Sequence, residues 1–176
     1  YGFGMSLNDI IDRRRDALAM NRQLLGAGHP EVAANENNLA LVLYRKGDRA
    51  GAVELMRHVL ASYRASLGVD PPNVAAVAAN LAYWLIGVGR YDESAHLVDQ
   101  SLAIRERALG KDHPQVAGTL TVKASLMLAT GRYDEARRLA AEAQRILGAS
   151  LPDDHWQMAA ARSVEGGALA RQGRFE

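Results

Sequence analysis

One distance, 42 residues, governs this chain. Val32, Val74, Val116 and Met158 stand 42 apart, and so do Gly47, Gly89, Gly131 and Gly173. Behind three of the glycines the chain continues alike: Gly89-Arg90-Tyr91-Asp92-Glu93, Gly131-Arg132-Tyr133-Asp134-Glu135 and Gly173-Arg174-Phe175-Glu176. A fixed period of this size implies a solenoid, in which each unit buries its apolar face on its neighbours. Function in such a chain is to be sought in surfaces.

Each period divides into two helices. Pro30, Pro72 and Pro114 open the first helix, where the missing N–H costs nothing. The repeated glycines close it, because glycine accepts the left-handed conformation at a helix C-terminus. Pro30 to Lys46 would span about 25 Å as a helix. The second helix starts at once, with Asp92-Glu93 and Asp134-Glu135 in its first turn, where the helix dipole favours acids. It runs to Leu67, Leu109 and near Leu147 or Leu151. Leu97, Leu102 and Ile104 give one such helix its apolar face, while Arg105, Glu106 and Arg107 are assigned to its charged outer face. Short loops force antiparallel pairs. Small residues recur in phase at Ala33, Ala75, Ala117 and Ala159, at Ala40, Ala82, Ala124 and Gly166, and at Ala52, Ser94 and Ala136. These let neighbouring helices approach closely. Leu43, Leu85, Met127 and Leu169 form a large apolar layer.

Several residue types look functional in isolation. His29, His113 and His155 occupy one repeat position, so the repeat spacing holds them too far apart for one metal ion, and capping is the expected role. Asp153-Asp154-His155 falls in the same loop position and is explained the same way. No phosphate loop, His-Glu-x-x-His or nucleophile elbow occurs, so no catalytic residue, metal site or cofactor is expected. Arg13-Arg14-Arg15 is flanked by Asp9, Asp12 and Asp16, which favours a solvated helix face. A net charge of +1 and 6% aromatic residues argue against nucleic acid and anionic membranes. RNA binding stands as a third option, recognisable by steep salt dependence. The stretch from Pro71 to Gly89 is too short and interrupted to span a bilayer. The absence of cysteine fits a reducing compartment, and a cytoplasmic location is expected. Tyr1 in place of a methionine suggests a piece of a larger protein.

The combination of Leu-Ala followed by Gly-x-Tyr-x-Glu-Ala resembles the tetratricopeptide repeat. Leu109-Gly110-Lys111-Asp112-His113-Pro114-Gln115-Val116-Ala117 is similar to the longer, kinesin-light-chain type. Leu25 to Ala33 departs from it at Gly28, and Leu67 to Ala75 at Pro71. The Leu151-Pro152-Asp153-Asp154-His155-Trp156 loop resembles the C-terminal repeats of certain bacterial serine/threonine protein kinases. The resemblance implies an all-α, right-handed superhelical solenoid of antiparallel helix pairs. It would be a single array over residues 1–176. Residues 6–25 would be the second helix of a partial repeat, 29–67, 71–109 and 113–151 full repeats, and 155–176 a partial repeat. Open array ends suit self-association, since Val164 and Leu169 would lack cover.

The same resemblance implies a non-enzymatic module that binds a protein or peptide in a weakly charged concave groove. Asn37, Asn38, Leu41 and Arg45 would contribute from the first full repeat, Asn80 and Tyr83 from the second, and Thr121 and Ser125 from the third. Asn37 matches the peptide-contacting asparagine of such grooves, while Ala79 and Thr121 replace it in the next two repeats. The basic clamp of chaperone-binding relatives is missing. A regulatory or scaffolding segment of a bacterial signalling enzyme such as a serine/threonine kinase is the alternative, and a simple spacer is another.

Overall fold

A computed structural model describes residues 6–26, 29–67 and 72–173. Gly28, Pro71 at the head of the 71–109 repeat, and residues 174–176 lie outside the described residues. Eight helices follow one another: α1 (Leu7–Leu25), α2 (Pro30–Lys46), α3 (Arg49–Leu67), α4 (Pro72–Gly87), α5 (Tyr91–Leu109), α6 (Pro114–Ala129), α7 (Tyr133–Gly148) and α8 (Trp156–Arg171). No strand occurs among the described residues.

The local sequence explains the boundaries. His29, His113 and His155 are N-caps. Their Nδ1 atoms accept the backbone N–H of Glu31, Gln115 and Gln157 at 3.2, 3.1 and 3.3 Å. Each satisfies one of the donors a helix start leaves open. Ser6 caps α1 through a reciprocal box with Asp9. Gly47, Gly89 and Gly131 take φ of 99, 77 and 79°, the left-handed region that turns each first helix into the second.

The chain forms two compact units, residues 1–77 and 78–176. In the first, α1 packs on α2 and α2 on α3. Val32, Leu39, Leu43, Val53, Met56 and Val59 are buried in it. Glu36 is fully buried there as well, and its Oε1 accepts from Arg22 Nε at 3.0 Å and from Arg22 Nη2. Asp12 and Arg15 lie 4.0 Å apart on the exposed face of α1.

In the second unit α6 lies against α5, α7 and α8, and α7 also packs on α8. Val116, Leu120, Ile146, Leu147 and Met158 form one core cluster with Ala117, Ala143 and Ala161. The small residues have the expected effect: Ser94 is fully buried and its hydroxyl donates to the Ala82 carbonyl at 2.8 Å, joining α5 to α4. Two expectations fail here. Val164 is buried, packed with Ala124 and Ala140 and beside Leu128 and Leu139, because α8 lies flat on α6 and α7. Ala159 is exposed, unlike its repeat counterparts Ala33, Ala75 and Ala117.

Candidate partner-binding groove

Three successive first helices bring their polar and aromatic residues to one opening in the second unit. Asn80, Tyr83 and Trp84 come from α4, Gln115, Thr121 and Ser125 from α6, and Trp156, Gln157 and Ser163 from α8. The space they enclose is about 550 Å³. That lies within the range of small-ligand and side-chain pockets, roughly 300–1,000 Å³.

The helical register sorts the wall residues. Tyr83 is 51% exposed and the adjacent Trp84 only 8%, so neighbours in sequence supply a protruding ring and a buried one. Trp156 stands at the first position of α8, 70% exposed, its ring 5.8 Å from that of the capping His155. The Thr121 and Ser125 hydroxyls donate to carbonyls four residues back, to Ala117 at 3.0 Å and to Thr121 at 2.9 Å. Their oxygens keep acceptor capacity toward the opening. Gly118 lowers the α6 wall, and a Cβ there would stand 3.4 Å from Gln157 Nε2.

One lining residue comes from behind. Arg105 belongs to α5 and, contrary to the charged outer face expected for it, is buried at 9% exposure in the groove lining. Its Nη1 donates to the Gln115 carbonyl at 2.9 Å and to Thr119 Oγ1 at 2.7 Å. Nε has no hydrogen-bond partner. Burial holds the guanidinium below its ordinary pKa. The physical reason for the difference is the neighbouring helix: α6 packs across the side of α5 that carries Arg105. Lys123, the other cation near this face, pairs with Asp99 at 2.8 Å and does not line the groove.

The predicted positions therefore separate. Asn80, Tyr83, Thr121 and Ser125 share the opening in the second unit. Asn38, Leu41 and Arg45 are exposed on α2 of the first unit, with Asn37 half-buried beside them. They do not line the recess described in that unit, which is formed by α1, α2, α3 and the loop residue Asp48. Sequence reasoning passed over Trp84, Trp156, Gln115, Gln157 and Arg105 as lining residues. For Arg105 a signal existed: Tyr63 and Leu147 hold the same repeat position. No group of acids and histidines suited to a metal occurs among the described residues, and no described helix is long and apolar enough to cross a membrane.

Two family models described as tetratricopeptide repeat match residues 37–73 and 73–149. Among solved structures, the chain is similar to Podosopora anserina repeats described as those of a kinesin light chain, nearly identical to one another and TPR-like. The TM-score is 0.76 at 24% identity, over 96% of this chain and 79% of that one. It is also similar to BtubC (BKLC) of P. vanneervenii, with a TM-score of 0.78 at 18% identity, over 96% of this chain and 67% of that one. At these identities the likeness carries the fold, an all-α repeat solenoid. No curated protein matches the chain.

Proposed function

From a chain that belongs to the tetratricopeptide-repeat family, whose repeats mediate protein–protein interaction, we propose a non-catalytic module that grips an extended segment of a partner protein in the α4–α6–α8 groove. The observation that carries this reading is the chemistry of the lining, which combines the aromatic residues Tyr83, Trp84 and Trp156 with the amide residues Asn80, Gln115 and Gln157. Aromatic rings supply contact area at low entropic cost, and amides both donate to and accept from a peptide backbone. Tyr83 is the expected anchor, since its ring is exposed while its helix is held by the buried Leu81, Ala82 and Leu85.

A displayed peptide library selected on the protein, followed by titration of the winning peptides, tests the reading. Tyr83→Ala should weaken binding by roughly fivefold or more, the loss expected of an interface anchor, with helicity unchanged. Arg107→Ala, on the exposed side of α5, should change it less than about twofold, as peripheral contacts do. Sensitivity to Arg107→Ala alone would move the site out of the groove and end this assignment.

The regulatory or scaffolding segment of a bacterial serine/threonine kinase is the second reading. What favours it is the resemblance of the Leu151–Trp156 loop to the C-terminal repeats of such kinases. It requires a kinase domain encoded in the same reading frame, which sequencing the parent gene decides.

A further inference from the structure

Two helix faces lack the cover that the repeat gives their counterparts. α1 has the phase of a second helix and, among the described residues, packs on α2 alone; α8 has the phase of a first helix and packs on α6 and α7. On α8, Ala159 and Gly166 are exposed, whereas Ala117 and Ala124, one period earlier, are fully buried. What covers those alanines is the second helix of their own repeat: Ala117 clusters with Ala143 of α7, and Ala124 with Ala140. On α1, Arg14 and Ala17 are exposed and Ile10 is half-buried, whereas the residues of the same columns on α3, α5 and α7 are all fully buried. Met20 is 61% exposed, where Ile104 and Ile146 of its column are buried. Each face is therefore one half of an interface that the chain builds within itself.

We propose that the exposed face of α8 in one copy of this chain docks on the exposed face of α1 in a second copy, so that the two helices complete one repeat. The sizes across this seam compensate. The column of Ile10 meets that of Gly166, as the Ser94 hydroxyl on the Ala82 carbonyl demonstrates, and the column of Arg14 meets it as Ala140 meets Ala124. Within the chain small lies on small there: Ala52 faces Ala40, Ser94 faces Ala82 and Ala136 faces Ala124. At the seam the larger Ile10 and Arg14 come against Gly166, where a Cβ would meet nothing within 4 Å. Close packing requires such paired volumes. The Arg14 stem lies over the glycine and its guanidinium reaches the rim. Arg162, the charge on the α8 side, is already held by Asp153 at 2.9 Å. A second copy is the occupant because it carries the complementary face in the same phase. The two faces differ, so the contact is head-to-tail. Each added interface stabilises a repeat array. None of Ile10, Ala17, Ala159 and Gly166 lines the groove, so the inference stands apart from the groove reading.

Sedimentation velocity of the whole chain over a concentration series tests the pairing. The weight-average mass should rise above the 19.0 kDa of one chain as concentration increases. Ala17→Arg blocks the α1 face and Gly166→Arg the α8 face. Both positions are exposed, so each variant should keep its helicity by circular dichroism and stay monomeric. Mixed in equal amounts, the two should form a dimer with one copy of each and nothing larger, because each supplies the face that the other lacks. Gly166→Ala should weaken association roughly fivefold or more by overfilling the space under Ile10 and Arg14, although it strengthens α8 within a single chain. Arg107→Ala, on the exposed side of α5, should associate as the wild type does. A wild type that remains monomeric throughout would overturn the proposal. So would association that survives either arginine variant, since the contact would then lie elsewhere. Two monomeric variants whose mixture yields no dimer would show each face pairing with its own copy, and would overturn it too.

Discussion

Leu147→Ala should destabilise the second unit by about 3 kcal/mol. Leu147 is fully buried on α7, within the cluster of Val116, Leu120, Ile146 and Met158. The substitution removes three carbons. At about 0.8 kcal/mol per buried CH₂, transfer alone accounts for roughly 2.4 kcal/mol. A cavity term follows, and measured Leu→Ala costs span about 2.7–5.0 kcal/mol according to how far the site collapses. Collapse is favoured here because Met158 is unbranched and lies in the same cluster. Its Cε already reaches within 3.7 Å of where a Cβ on Gly148 would stand. That places the cost in the lower part of the range. For a chain of this size about 1 kcal/mol moves the melting point by roughly 2–4 °C, so a drop of roughly 6–12 °C is expected. Both tryptophans of the chain, Trp84 and Trp156, lie in the second unit, so intrinsic fluorescence follows that unit and not the first. A thermal melt read by fluorescence, with a urea titration beside it, makes the measurement. A loss under about 1 kcal/mol, below any cavity-forming Leu→Ala exchange, would show that this face of α7 is not core and that the helix phase described here is wrong.

His113→Ala should cost about 1 kcal/mol, as loss of an N-cap usually does, while His113→Asn should retain most of the cap; equal urea midpoints for wild type and the alanine variant would remove capping as the reason for the histidine. Gly166→Ala should stabilise by about 0.5–1 kcal/mol, since Gly166 lies inside α8 and a Cβ there meets nothing within 4 Å. Gly167→Ala, whose Cβ would stand 3.1 Å from Leu128 Cδ2, should gain less or lose; identical midpoints for the two variants would contradict the packing of α8 on α6.

The helices were legible because their signals are local and repeated. Proline or histidine at each first-helix start and a left-handed glycine after it recur from repeat to repeat, and acids fill the first turns of α5 and α7. Agreement among such cues is what a funnelled sequence should display. Two residues escaped for a shared reason. Arg105 and Glu36 are charged, and a charged residue on an amphipathic helix is ordinarily assigned to solvent. Reading down the repeat column corrects the habit in part. Glu36 aligns with the buried Ala78 and Leu120 but also with the exposed Arg162, and Arg105 with Asn21, the half-buried Tyr63 and the buried Leu147. The column carries some of the burial signal, and the packing of the neighbouring helix decides the rest. The grouping of Trp156 and Gln157 with Tyr83 and Asn80 was hidden differently. It depends on α8 lying against α6, a contact between elements that no local pattern encodes.

The two buried charges differ in how the chain answers them. Glu36 takes two donors from Arg22 on Oε1, so the first unit supplies its counter-charge, while Oε2 is left without a hydrogen bond. Arg105 receives only a carbonyl and a hydroxyl, and Nε is left unmet. Neutral acceptors recover part of the hydration lost on burial, but a desolvated ion still costs several kcal/mol without an opposite charge. An apolar side chain would remove that cost at this position, as Leu147 does one repeat later. What arginine adds at position 105 is the tie from α5 to the first turns of α6 through the Gln115 carbonyl and Thr119 Oγ1.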